Sequence, residues 1–235
     1  MSTVQSSNRV KVYGIVIGIL SAVAQHGVYL LGHVLAGFIG NEPFLPKIPA
    51  IDDLIPVIPI FVIPYIWSYL YWAMAPMAAS KCEKEHFLDY LASYLFAVLA
   101  GMVILAFAPT YMDRTAEGLY LPRSGFFARL LQFWYTLDGT EIAYNLFPSF
   151  HCLNSTLCYL AVRKRKEIPV WYRVYSLLLT LLIFASTLFV KQHYAADVLG
   201  GAILAVITFV LCKKFHAGRI FLRPIAFVQS HFRKK

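Results

Sequence analysis

The stretch FLDYLASYLFAVLAGMVILAFA, Phe87 to Ala108, decides the fold. It is apolar almost throughout and long enough to cross a ~30 Å hydrocarbon core as a helix. Similar runs lie on both sides of it: roughly Val12–Ile39 and Leu54–Ala79 before, then Phe147–Val162, Val174–Val190 and Asp197–Phe215 after. Phe147–Val162 and Val174–Val190 are near the lower limit for a span. The chain has 235 residues, 59% hydrophobic and only 14% charged, whereas soluble domains carry about 25% charged residues. Backbone facing lipid must satisfy its own hydrogen bonds, so the spans are helical. The expectation is an all-α, six-helix transmembrane bundle forming one integral membrane domain over residues 1–235, with a basic cytoplasmic tail at 216–235.

Pro56, Pro59, Pro64 and Pro76 imply a kinked or broken start to the second span. Pro46 and Pro49 mark an irregular loop before it. In the first span Gly14-x-x-x-Gly18 and Gly32-x-x-x-Ala36 either permit close helix approach or are scattered small residues. Arg9 and Lys11 ahead of an apolar stretch, with Ala22-Val23-Ala24, resemble a cleavable signal. The apolar run continues to Ile39, however, where a secreted chain would turn polar. Cys82, Cys152, Cys158 and Cys212 show no zinc or Cys-x-x-Cys spacing and read as packing residues. The net charge of +9 could suit nucleic acid. In so apolar a chain it reads instead as loops facing an anionic inner leaflet, with no nucleic-acid partner.

Charge placement sets the orientation. If six spans cross, sixteen Lys and Arg fall on the side holding both termini, among them the Arg163–Lys166 run and Lys213, Lys214 and Arg219; five (Lys47, Arg114, Arg123, Arg129, Lys191) fall opposite. The positive-inside rule then puts both termini in the cytoplasm. The loop from Pro109 to Leu146 lies outside. Its aromatic-rich part, Gly125–Leu137, reads as a helix lying at the interface or as a short buried helix capping the bundle. Phe215, Ile220, Phe221, Leu222, Ile225 and Phe227 in the basic tail suit either an amphipathic segment on the inner leaflet or a solvated tail.

This topology brings four distant residues to the outer face. His151 lies in Phe147-Pro148-Ser149-Phe150-His151, about one turn into the fourth span. His193 and Asp197 lie in Lys191-Gln192-His193-Tyr194-Ala195-Ala196-Asp197, at the start of the sixth, and Arg114 is in the outer loop. Titratable side chains at membrane depth are costly and so mark functional sites. These suit phosphoryl transfer. A neutral imidazole, His193, can attack phosphorus and carry the group as phosphohistidine. Asp197, four residues on, shares its helix face and can hold the other ring nitrogen. His151 can protonate the leaving oxygen and later deprotonate the acceptor. Arg114 and Lys191 are candidate cations, and Ser149 with the first helical N–H groups can cradle an anion, Pro148 taking the first helical position.

Pro148-Ser149-Phe150-His151 resembles the Pro-Ser-x-His signature of the type 2 phosphatidic acid phosphatase superfamily. Ser186, His193 and Asp197 are similar to its Ser-Arg-x5-His-x3-Asp signature. Lys191-Gln192-His193-Tyr194-x-x-Asp197-Val198 especially resembles the inositol phosphorylceramide synthase branch of lipid phosphotransferases. The resemblance covers residues 109–215 and implies a six-helix, metal- and cofactor-independent enzyme with a histidine nucleophile, acting on a lipid phosphate among membrane lipids. The sequence departs from the family at two cations. Of the Lys-x6-Arg-Pro signature only Arg114 remains, Phe107 standing at the lysine position, and Thr187 replaces the arginine after Ser186. Lys191 and Arg123 are the compensating candidates.

The leading expectation is a multi-pass cell-membrane phosphatase that removes phosphate from a lipid phosphate or diphosphate at the outer leaflet. Transfer of a phospho-headgroup to an alcohol is the alternative, and a catalytically inactive lipid-binding relative is another. His26 and His33, seven apart on one face of the first span, and His86 raise the possibility of haem binding; hydrogen bonding to a neighbouring helix is the simpler reading. Asn154-Ser155-Thr156 matches a glycosylation acceptor but lies within a span.

Overall fold

A computed structural model of the chain describes residues 10–119, 124–137 and 141–222, with only the backbone of Ala22 and His26. Over these residues the protein is mostly helical. The first apolar run forms α1 (Val12–Ile39), closed by Gly40 at φ 73°, whose N–H bonds to Ala36 O; glycine takes this left-handed position without a Cβ penalty. A strap of irregular chain follows. It contains one helical turn, α2 (Pro49–Asp52), where only irregular loop was expected, because Pro49 stands at a helix start that needs no N–H. A 3-10 turn, Pro59–Phe61, leads into α3 (Val62–Ala79). The broken start expected from the prolines is thus present.

Next come α4 (Lys84–Phe107), α5 (Phe126–Leu137), α6 (Phe150–Val162), α7 (Val170–Phe189) and α8 (Ala195–Lys214). Among the described residues five segments are long and apolar enough to cross a membrane: α1, Pro59–Ala79, α4, α7 and α8. The fourth expected span is the shorter apolar helix α6, since Pro148 and Ser149 delay its start to Phe150.

The expected all-α fold needs one amendment. The outer loop contains an antiparallel pair of three-residue strands, β1 (Tyr111–Asp113) and β2 (Ile142–Tyr144), with Tyr111 opposite Tyr144 and Asp113 opposite Ile142. Strands this short carry too little alternation to be read from sequence. Thr110 Oγ1 accepts from the N–H groups of Leu146 (2.8 Å) and Phe147 (3.0 Å), which joins this ribbon to the approach of α6. Above it α5 buries Ala128, Leu131 and Tyr135 against Val62, Tyr65, Met112 and Val190, and leaves Phe126, Phe133 and Leu137 exposed. It therefore caps one end of the bundle and keeps an apolar outer surface.

The shortest of the apolar helices, α6, is the most enclosed, with every residue but Tyr159 buried. It packs on α3, α4, α7 and α8. Its approach to α8 is backbone-close: a Cβ on Gly201 would lie 2.3 Å from Ser149 O, and Ser149 N–H donates to Asp197 O at 3.0 Å. Gly18 plays the same part between α1 and α3, where a Cβ would meet Ala73 O at 2.4 Å. The small residues of α1 thus serve close helix approach. All four cysteines are buried and unpaired, as packing residues are.

The helix ends sort into two groups. At one end Lys11 N–H donates to Ser80 Oγ (3.1 Å) and Gly218 N–H to Asp89 Oδ1 (2.9 Å), and His86 Nε2 pairs with Ala161 O (2.7 Å). Lys81, Lys84, Arg163–Lys166, Lys213 and Lys214 belong to the same end by their places at these helix termini. At the other end the start of α6 meets the start of α8, and Ile58 N–H donates to Phe189 O at 2.9 Å. The basic tail beyond Leu222 lies outside the described residues.

Candidate active site

The second group of helix ends brings the expected site residues together. His151 stands in the first turn of α6 and His193 just before α8, 42 positions later; their ring centroids are 6.0 Å apart. Hydrocarbon does not separate them. Both are at least nine-tenths buried.

The turn holding His193 joins α7 to α8. Thr187 O accepts from the N–H groups of Gln192 (3.0 Å) and His193 (3.2 Å), and Lys191 takes the left-handed region at φ 47°. Non-glycine residues rarely adopt that conformation unless the surroundings enforce it. Asp197 then closes a capping box: its Oδ2 accepts from Tyr194 N–H at 2.8 Å. The same Oδ2 lies 3.5 Å from His193 Nδ1 without a hydrogen bond between them, so Nδ1 is the ring nitrogen nearer the carboxylate and Nε2 the one away from it. Asp197 is fully buried, and its Oδ1 has no hydrogen-bond partner among the described residues.

His151 is held by aromatic rings. Tyr65 stacks on it (centroids 4.1 Å, 20° between planes), and Trp72 (5.0 Å) and Tyr69 (5.6 Å) meet it edge-on. Two turns of α3 and the first turn of α6 therefore fix this imidazole. Nothing in the sequence marks the cage, because Tyr65, Tyr69 and Trp72 stand in a span where aromatic residues are common.

Arg114 follows β1 and is fully buried. It donates through Nη1 to Tyr135 O (3.0 Å) and through Nη2 to Gln192 Oε1 (3.0 Å), and it lies over the Tyr135 ring at 4.9 Å. A buried guanidinium is tolerable only with such partners. It is thereby tied to the residue preceding His193. Lys191 Nζ donates to Asp52 O at 2.6 Å. An ammonium has three donors, so one is committed here. Burial pushes this ammonium below the ordinary lysine value, an effect that Glu117 and Asp52 partly offset.

Ser149 is the N-cap of α6 and not a residue inside it; its Oγ accepts from Cys152 N–H at 3.4 Å. Pro148 therefore precedes the cap and does not occupy the first helical position. The two positions that lack the family's cations differ in kind. Phe107 is 63% exposed at the end of α4. Thr187 is buried beside the site, but it is its backbone carbonyl that supports the His193 turn. Arg123 lies outside the described residues.

Asp52 was invisible in the sequence, yet it brackets His193. Its carboxylate accepts from Ala195 N–H (Oδ1, 2.8 Å) and Ile48 N–H (Oδ2, 2.7 Å), while its carbonyl takes Lys191 Nζ. Nearby, Lys47 bridges Asp53 and Glu117 at 2.7 Å each, and Tyr194 Oη donates to Glu117 at 3.0 Å. The strap is thus fastened to the turn that carries His193. Replacing Asp52 with alanine removes the charged acceptor of two part-buried N–H groups, at about 1–2 kcal/mol each. Amide hydrogen exchange over residues 190–195 should accelerate at least tenfold while α4 is unchanged.

The alternative histidines do not converge. His33 Nδ1 pairs with Asn145 Nδ2 (3.1 Å) ahead of α6, whereas His86 sits at the far end of that helix. The side chain of His26 lies outside the described residues. Among the described residues no group of three or more His, Cys, Asp or Glu is placed to hold a metal ion.

A family model described as the PAP2 superfamily matches residues 55–211, more than half of the chain. The match reaches back through α3 and α4, well before the motif-bearing region. No curated protein and no solved structure matches the chain.

Proposed function

The chain belongs to the PAP2 superfamily, which makes it a phosphatase-type enzyme in a membrane-embedded fold, and from that premise we propose that it removes phosphate from a lipid phosphate or diphosphate through a phosphohistidine on His193. The observation that carries this reading is the meeting of His151 and His193, with Asp197 on the Nδ1 side of the second ring. Nε2 of His193 attacks phosphorus, the bond to the lipid oxygen breaks, and His151 delivers a proton to that oxygen. Asp197 stabilises the imidazolium character that develops as the N–P bond forms. Water then gives its proton to His151 and attacks phosphorus, which frees His193 and inorganic phosphate.

Arg114, Lys191 and the hydroxyl of Ser149 are the groups proposed to hold the phosphoryl oxygens, where negative charge gathers in the transition state. The aromatic cage keeps His151 aimed and excludes water from its ring faces. With the basic helix ends on the opposite side, the site faces the outer leaflet and both termini face the cytoplasm. The exposed Phe126, Phe133 and Leu137 of α5 then rest in the interface on the same side as the site.

Headgroup transfer to an alcohol is the second reading. It is favoured by the absence of cationic side chains at Phe107 and Thr187, because a phosphodiester brings less negative charge than a phosphomonoester. The deciding experiment incubates purified protein with a panel of lipid phosphates, diphosphates and phosphodiesters and measures free phosphate and lipid products together. Phosphate release that disappears in His151→Ala supports hydrolysis. A new headgroup-bearing lipid without phosphate release supports transfer. Turnover unchanged by both His151→Ala and His193→Ala removes the proposal.

A further inference from the structure

Gln192 immediately precedes His193 and is 6% exposed. Its Oε1 accepts from Arg114 Nη2 at 3.0 Å. A guanidinium can only donate, so this contact settles which end of the amide is which. The NH2 end, Nε2, has no hydrogen-bond partner among the described residues and is shielded from solvent. A buried amide donor left unpaired is costly, and Arg114 calls only for the acceptor end of this side chain, which a carboxylate of the same length would supply without an orphan donor. The backbone N–H, not the side chain, holds the turn to Thr187.

We infer that Gln192 is a substrate-binding residue whose Nε2 donates to a non-bridging oxygen of the phosphoryl group on its way to His193. Arg114 draws electron density from the amide oxygen, which makes the opposite N–H bonds stronger donors. The buried positive charge of Arg114 thus acts on the phosphate through a neutral relay as well as directly. This supplies an aimed donor beside a position, Thr187, where the resemblance called for a cation. Gln192 contributes no charge of its own, and its orientation is fixed before substrate arrives, which is the condition for donors of this kind to lower a barrier. The inference rests on the phosphoryl-transfer reading of the same site.

Two substitutions separate substrate binding from simple support of Arg114. Gln192→Glu keeps the acceptor for Arg114 and the side-chain size, but replaces the donor with a carboxylate facing the phosphoryl oxygens. Gln192→Met removes donor and acceptor alike. Removing one oxyanion donor typically costs on the order of 10²–10³ in rate. For Gln192→Glu a loss of that order in kcat/KM on phosphatidic acid is expected, with inhibition by orthovanadate weakened at least tenfold and the thermal midpoint in detergent undiminished. Gln192→Met should fall between the glutamate variant and wild type. A Gln192→Glu protein within threefold of wild type in both kcat/KM and vanadate inhibition overturns the inference; should that variant not fold, Gln192→Met within threefold does so. Wild-type protein that turns over no phospholipid and binds no vanadate, read directly by 51V NMR, instead removes the phosphoryl-transfer reading and this inference with it. Vanadate binding to wild type that is lost in Gln192→Glu supports the inference even without a known substrate.

Discussion

His193→Ala should lower turnover by roughly 10⁴- to 10⁶-fold, the scale seen when a covalent nucleophile is deleted, while the folded protein survives. The expectation of survival has a structural basis. The His193 ring lies 3.5 Å from Asp197 and beside the His151 ring, with no short hydrogen bond to either, whereas the turn is held by backbone N–H groups to Thr187 and by the Asp52 strap. Alanine keeps all of those bonds. Phosphate release and the thermal midpoint, measured on one preparation, separate loss of chemistry from loss of fold. A residual rate above one-hundredth of wild type would move the nucleophile elsewhere.

Asp197→Asn should cost on the order of 10²–10⁴ in kcat, by the logic that links a buried carboxylate to its imidazole in a catalytic triad. Asparagine can still accept from Tyr194 N–H through its amide oxygen, so the capping box at α8 persists. The lost part is the negative charge beside Nδ1, which in the proposed mechanism holds the tautomer and balances the imidazolium. The effect should therefore appear in kcat more than in KM. If Asp197 only caps α8, the asparagine variant will retain nearly full activity, since an N-cap exchange of this kind changes stability by a fraction of the ~1 kcal/mol that a cap contributes.

Much of the fold was legible in hydropathy. The run Val12–Ile39 and the helix α1 have the same limits, and α4, α7 and α8 each begin within four residues of their apolar runs, because a membrane span is specified by composition over twenty residues. His151, His193, Asp197 and Arg114 could be chosen because charged groups are rare in such a chain. Their convergence followed from counting Lys and Arg by loop. The unread features depend on contacts between residues far apart. The strands β1 and β2 pair across 28 residues or more, and Asp52 meets Ala195 across 143 positions. Asp52 went unread because its partners are mainly backbone groups, which leave no mark in sequence. Gly201 gave no signal for the same reason: it is needed by Ser149 O, on another helix. Pro148 was misplaced by two positions, since both Pro148 and Ser149 suit a helix start and only the structure shows that Ser149 is the cap and Phe150 the first helical residue.

One measurement bears most directly on the claim that two distant imidazoles serve one phosphorus. Protein mixed with lipid phosphate labelled in its phosphoryl group, quenched within milliseconds in alkali and digested, reports where the group rests between the two chemical steps. The expected result is an acid-labile, alkali-stable label on the peptide bearing His193, absent from His193→Ala. A label on a hydroxyl or carboxylate side chain, or rapid turnover with no labelled protein at any time, would contradict it.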